Sequence, residues 1–112
     1  MTLDELNAQL DAYVMAAKTN GASVLDAAMI DKVVRPISVL IYIHREAETD
    51  PDEFIASMSW GIGVALSEMV LNLSDKHNPN GVMTLANNIL QSVAKSMQNA
   101  VNESLPNSGR AN

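Results

Sequence analysis

The sequence predicts an all-α fold of four to five helices, arranged as a small bundle with a long central helix over residues 51–75. Apolar residues recur every three or four positions through most of the 112-residue chain, which is the spacing of one helix face. Residues that favour helix caps precede several of these segments. No two segments alternate apolar and polar residues convincingly, so a lone strand would leave its backbone groups unpaired.

The first two helices are predicted from their ends. Thr2 begins the first helix, because its side chain can accept a hydrogen bond from the amide of Glu5. Gly21 ends that helix, since glycine tolerates the left-handed conformation of a C-terminal cap. Ser23 is the expected N-cap of the second helix.

Pro36 predicts a break or kink at Val34–Arg35, because proline lacks an amide donor and disfavours a helical residue before it. The segment that follows, residues 37–43, is rich in β-branched residues and is compatible with a helix or a strand. We favour a helix, since a strand here would have no partner. Its almost continuous apolarity predicts an inner helix.

The central helix begins at Asp50-Pro51, which supplies a cap and a proline at the first helical position. From Phe54 to Ser74 it carries one charged residue, Glu68. One side of the helical wheel has the spacing of a core stripe, formed by Phe54, Ile55, Met58, Ile62, Leu66, Met69 and Leu73.

The opposite side of this helix is also apolar. Trp60, Val64 and Leu71 form a second line, which we call the Trp60 line. Beside it runs a stripe of small residues, namely Ala56, Ser59, Gly63, Ser67 and Ser74. We expect the Trp60 line to contact another helix of the chain, a second copy or a partner protein. A membrane span is disfavoured because polar residues interrupt the segment and a charge inside a bilayer is costly.

The C-terminal part is predicted as a loop, a helix and a tail. Residues 74–81 carry several turn signals, and residues 82–104 have a helical apolar stripe. That stripe comprises Val82, Leu85, Ala86, Ile89, Leu90, Val93, Met97, Ala100 and Val101. We expect residues 1–105 to form a single domain and residues 106–112 to be a disordered tail.

The charge of the chain is unevenly distributed. Residues 1–56 contain ten acids and four bases, whereas residues 57–112 contain three of each, which gives a net charge of −6 overall. This balance argues against binding nucleic-acid phosphates. An acidic cluster surrounds the start of the central helix, and we expect either a solvated helix junction or a contact with a basic partner. The cluster comprises Glu46, Glu48, Asp50, Asp52 and Glu53.

The sequence shows no pattern of side chains for catalysis. The chain has no cysteine, which excludes disulfides and thiolate metal sites. His44 has no second ligand three or four residues away, and no phosphate-binding loop or nucleophile motif is present. We therefore expect no enzyme, metal or cofactor. The acidic N-terminus lacks the features of a signal peptide, so a cytoplasmic location is expected.

These observations predict a non-enzymatic, homodimeric interaction module that regulates or inhibits another protein by covering its surface. The expected contact residues are the Trp60 line with Gly63 and Ser67, and the acidic cluster. One alternative is a helical pocket for an apolar small molecule, lined by Tyr42, Met58, Trp60 and Met69. A second alternative is an acidic mimic of nucleic acid, although the acids become sparse after residue 53.

Overall fold

A computed structural model describes residues 1–106, and these contain helices and no strand. The all-α prediction is confirmed, and residues 37–43 are helical. The predicted tail from residue 107 onward lies outside the described residues. The helices are α1 (Leu3–Thr19), α2 (Val24–Met29), α3 (Arg35–Glu46), α4 (Pro51–Leu73) and α5 (Pro79–Ser104), and a π-helical turn, Ile30–Val34, joins α2 to α3.

Three helices begin at the predicted capping residues. In each, a side-chain oxygen accepts a hydrogen bond from the amide three residues later, which satisfies a backbone donor that has no partner inside the helix. The pairs are Thr2 with Glu5 at 3.1 Å, Ser23 with Asp26 at 3.0 Å, and Asp50 with Glu53 at 3.0 Å.

Of the predicted break or kink at Val34–Arg35, the break is wrong, because the helical path continues from α2 through the π-helical turn into α3. The kink stays a prediction. The amide of Arg35 donates to the carbonyl of Ile30, five residues earlier. A proline removes one hydrogen bond of the ordinary ladder and crowds the preceding turn. The wider π-helical turn lies directly before Pro36 and accommodates that proline without ending the helix.

Helix α5 begins at Pro79, three residues before the predicted start. The side chain of Asn78 accepts a hydrogen bond from the amide of Gly81 at 3.1 Å. Asn78 and Pro79 are therefore the N-cap and first residue of the helix. The turn signals were assigned to a loop, but they belong to the first turn of α5.

The chain divides into two compact units, Met1–Ala56 and the chain from Ser57 onward. In the first unit, α1 contacts α2, the π-helical turn and α3. Leu10 and Ala27 are the buried side chains of this unit. That residues 1–105 form a single domain stays a prediction.

A polar network around Arg35 holds the first unit together. Its guanidinium donates to the Asn7 side chain at 2.9 Å, to Asp31 at 2.8 Å and to the carboxylate of Asp11. These bonds connect α1 to the π-helical turn and α3. Hydrogen bonds to Asp31 and then Asp11 raise the pKa of Arg35 above its usual value, so the side chain stays charged.

In the second unit, α4 and α5 approach each other near the loop that connects them. They border a cleft of about 300 Å³ lined by Leu66 and Met69 of α4 and by Ile89 and Val93 of α5, among others. Val70 is the one buried side chain among the described residues 57–106. The cleft brings residues 66–69 of α4 beside residues 88–93 of α5 across a short link, so the two helices form an open antiparallel hairpin that packs little beyond this region.

Candidate interaction surfaces

The Trp60 line is exposed. Trp60 has 73% of its surface accessible, Val64 has 42% and Leu71 has 43%. A tryptophan exposed to this extent leaves a large aromatic area in water, where burial against another molecule would be favourable. The described chain therefore does not cover the face that the sequence predicts to be a contact surface.

The small-residue stripe beside the Trp60 line is also exposed, except at Ser74, which is half-buried. A Cβ atom built at Gly61 or Gly63 would have no neighbour within 4 Å. The hydroxyl of Ser67 donates to the carbonyl of Val64 at 2.7 Å, so its hydrogen bond is made inside α4. The space left by these glycines is therefore not used by packing within the described residues.

The predicted core stripe of α4 is corrected by the structure. Ile55 is 60% exposed and Leu73 is 72% exposed, although both were assigned to the core. Within the second unit, Met58 and Leu66 of that stripe are half-buried, and Val70, which belongs to neither apolar face, is buried. On the helical wheel Val70 lies between the two faces.

The apolar stripe of α5 is covered only in its first half. Val82, Leu85, Ala86 and Ile89 are half-buried, whereas every residue from Leu90 to the end of the helix is exposed. Leu90 is 60% exposed and Met97 is 61% exposed. The sequence assigned these side chains to the core, and the structure places them on the surface of the described chain.

The acidic cluster lies at the junction of α3 and α4, and all five side chains are exposed. Asp50 accepts the amide hydrogen bond that caps α4, so its carboxylate already has a structural role. Glu48 adopts a positive φ of 55° in the short link between the helices. The remaining carboxylates at Glu46, Asp52 and Glu53 face solvent and are accessible to a partner.

By length and composition alone, α4 is also apolar enough to span a bilayer. Core helices of soluble proteins satisfy the same criterion but are mostly buried, whereas 6% of the apolar window of α4 is buried. The segment contains Glu68 and Asn72, and acidic residues precede it. These features disfavour insertion because charged groups are costly in hydrocarbon.

Of the side chains considered for chemistry, His44 has local structural partners. The Nδ1 of His44 lies 2.9 Å from the hydroxyl of Thr49, and its ring centroid lies 4.9 Å from that of Phe54. Glu68 is exposed. Among residues 1–106, no group of three histidine or acidic side chains lies close enough to hold a metal ion.

Two of the four side chains predicted to line an apolar pocket border clefts, each within one unit. Tyr42 lines a cleft of about 290 Å³ in the first unit, together with Leu6 and Ile41. Met69 lines the cleft between α4 and α5 in the second unit. Trp60 is exposed to solvent.

The fold and these surfaces define an all-α protein whose longest helices carry uncovered apolar faces. No protein-family model, curated protein or solved structure gives a significant match to the chain. The functional argument therefore depends on the surfaces themselves.

Proposed function

We propose that this protein is a non-enzymatic helical interaction module, a homodimer that regulates or inhibits another protein by covering part of its surface. The observation that carries the proposal is the exposure of the Trp60 line. Tryptophan is among the residues that dominate binding energy when a partner buries them. The proposal keeps the protein in the cytoplasm, without a cofactor or nucleic-acid partner.

The acidic cluster indicates that the contact surface of the proposed partner is positively charged. Exposed carboxylates at Glu46, Glu48, Asp52 and Glu53 attract a basic protein surface and accelerate encounter. The second unit offers mainly neutral polar residues around its apolar faces, which cost less to desolvate than charged ones. A regulated protein that carries a basic patch and an apolar groove fits this composition.

A binding experiment with charge and apolar variants tests the proposal. The purified protein is used to capture a partner from the native source, and the captured protein is then produced separately for binary binding measurements. We expect Glu46→Gln, Asp52→Asn and Glu53→Gln together to weaken binding about tenfold and to reduce its salt dependence. Asp50 is left unchanged because it caps α4.

Trp60→Ser tests the apolar contribution in the same binary measurement. We expect it to weaken binding, because the lost aromatic contact is not replaced. Gln98→Ser on α5 is the control and retains wild-type affinity. A partner that binds both sets of variants with wild-type affinity would contradict the proposed contact surface, and failure to find any specific partner would contradict the function.

A further inference from the structure

We propose that a second copy of this chain docks on the outer side of the α4–α5 hairpin, against a seam on α5 and the neighbouring Trp60 line. The inference rests on the proposed homodimer and names its surface. The α5 seam is the set of apolar residues with alternating spacings of three and four, namely Met83, Ala86, Leu90, Val93, Met97 and Ala100.

The spacing of the α5 seam is that of helices that pair side by side. Steps of three and four residues place every member on one narrow line along the helix. The seam continues through five such steps, although most globular helices need only a broader and less regular stripe. Its regularity therefore indicates a helical partner of similar length.

The long side chains of the α5 seam at Met83, Leu90 and Met97 are accessible, whereas Ala86 is half-buried and Val93 borders the cleft with α4. At 100° per residue, Leu90 and Met97 lie about 80–100° away from the direction of Ile89, which faces α4. The exposures of Met83, Leu90 and Met97 are 59%, 60% and 61%. No described part of the chain covers these side chains.

The Trp60 line lies on the same side of the hairpin as the α5 seam. When an antiparallel pair is viewed along its axis, successive residues turn clockwise in one helix and counterclockwise in the other. Relative to the contact line through Val70, this places Trp60 and Leu71 on the side of Leu90. Met69 falls on the other side by the same geometry, and it lines the cleft there with Asn88 and Ser92.

Charge favours a second copy as the occupant. In a two-fold symmetric dimer each surface patch meets itself, so a charged patch would face its own charge. The α5 helix carries two charged residues, Lys95 and Glu103, and neither is a seam position. The strongly acidic first half of the chain would repel its copy, whereas this neutral half would not.

The area of the proposed surface also favours a second copy as the occupant. A stable interface takes about 800 Å² from each partner. Helix α5 has 26 residues, so it is about 39 Å long and 10 Å wide, and its face alone projects roughly 400 Å². The adjacent face of α4 supplies a similar area. Two hairpins docked in this way form a four-helix bundle, the arrangement in which such seams are buried.

Light scattering on the full-length protein tests the proposed surface. Leu90→Glu with Met97→Glu adds two charges to the α5 seam, and we expect the measured mass to fall from that of a dimer to that of a monomer. Gln91→Glu with Gln98→Glu is the control, because it adds the same charges at the same spacing about 100° around the helix from Leu90 and Met97. Both variants should remain helical by circular dichroism, since all four residues are exposed.

Cysteine cross-linking provides a second readout that does not depend on breaking the dimer. The chain contains no cysteine, so single substitutions report one position each. With Leu90→Cys, Val93→Cys and Met97→Cys, we expect oxidation to produce a covalent dimer for at least one seam position. Gln91→Cys and Gln98→Cys should give none.

The outcomes separate this inference from the proposed function. A wild-type monomer over the measured concentrations would overturn the homodimer and the surface together. A dimer unaffected by the seam variant, with no seam cross-link, would overturn the surface alone. If the seam variant is monomeric and still binds the captured partner, the docking surface is supported and the partner-binding role stands separately.

Discussion

At the scale of single residues, Glu48 has a backbone conformation that glutamate rarely adopts. Its φ of 55° lies in the left-handed region, where the amide of Thr49 donates to the carbonyl of His44 at 3.0 Å and closes the end of α3. Gly21 has the same role after α1, with a φ of 85°. One helix thus ends at a glycine and another at a strained glutamate.

We expect Glu48→Gly to increase the free energy of unfolding by about 1 kcal/mol, because glycine adopts this conformation without a Cβ penalty. Urea denaturation followed by circular dichroism measures the change. The reciprocal control is Gly21→Ala, which should lower stability by a similar amount although its Cβ would have no neighbour within 4 Å. A variant at Glu48 that is less stable than the wild type would contradict the strain argument.

Arg35 is the residue whose polar contacts extend furthest along the chain in the first unit. We expect Arg35→Lys to lower the melting temperature, because a single ammonium group cannot reproduce the planar set of bonds to Asn7, Asp11 and Asp31. The control is Arg45→Lys, which makes the same chemical change at an exposed site. Equal melting temperatures for the two variants, measured by circular dichroism, would show that the network adds nothing to stability.

At the scale of helices, the ends were largely predictable and the covered faces were not. Caps at Thr2, Ser23 and Asp50 were predicted correctly because they depend on atoms three residues apart. The π-helical turn before Pro36 was missed, since sequence pattern does not reveal how a helix accommodates the proline. The early start of α5 was missed because asparagine and proline serve both loops and helix starts.

The buried line of α4 could not be predicted because it depends on where α5 docks. Val70 belonged to neither apolar face on the wheel, yet it is the buried residue of the second unit. The candidate contact residues were identified because α4 is apolar on two sides, and a single neighbouring helix cannot cover both. The exposed seam of α5 was missed as a surface, although its regular spacing was visible in the sequence.

We expect α4 to remain outside lipid despite its length. Glu68 lies inside the helix, and insertion of an acid is costly by several kcal/mol. Flotation of the protein with phosphatidylcholine vesicles, with and without phosphatidylserine, should leave the protein in the lipid-free fraction. Glu68→Leu is the informative comparison, since a gain of vesicle binding on this change would show that the acid prevents insertion. Flotation of the wild type would contradict the expectation.

At the scale of the whole molecule, the described residues bury few apolar side chains. Leu10 and Ala27 are buried in the first unit and Val70 in the second. Apolar burial is the dominant favourable contribution to folding, so a chain with so little of it gains stability by burying more against another chain. Self-association and stability are therefore expected to be coupled in this protein.

The expected coupling predicts that the melting temperature depends on protein concentration. A hundredfold increase in concentration favours a folded dimer by about 2.7 kcal/mol through mass action, which corresponds to an increase of roughly 5–10 °C for two chains of this size. We expect that increase for the wild type and for Gln91→Glu with Gln98→Glu, measured by differential scanning calorimetry. Leu90→Glu with Met97→Glu should melt at one temperature throughout, because a monomer has no such dependence. A wild-type melting temperature that is constant over the same range would show that each chain is stable without its copy.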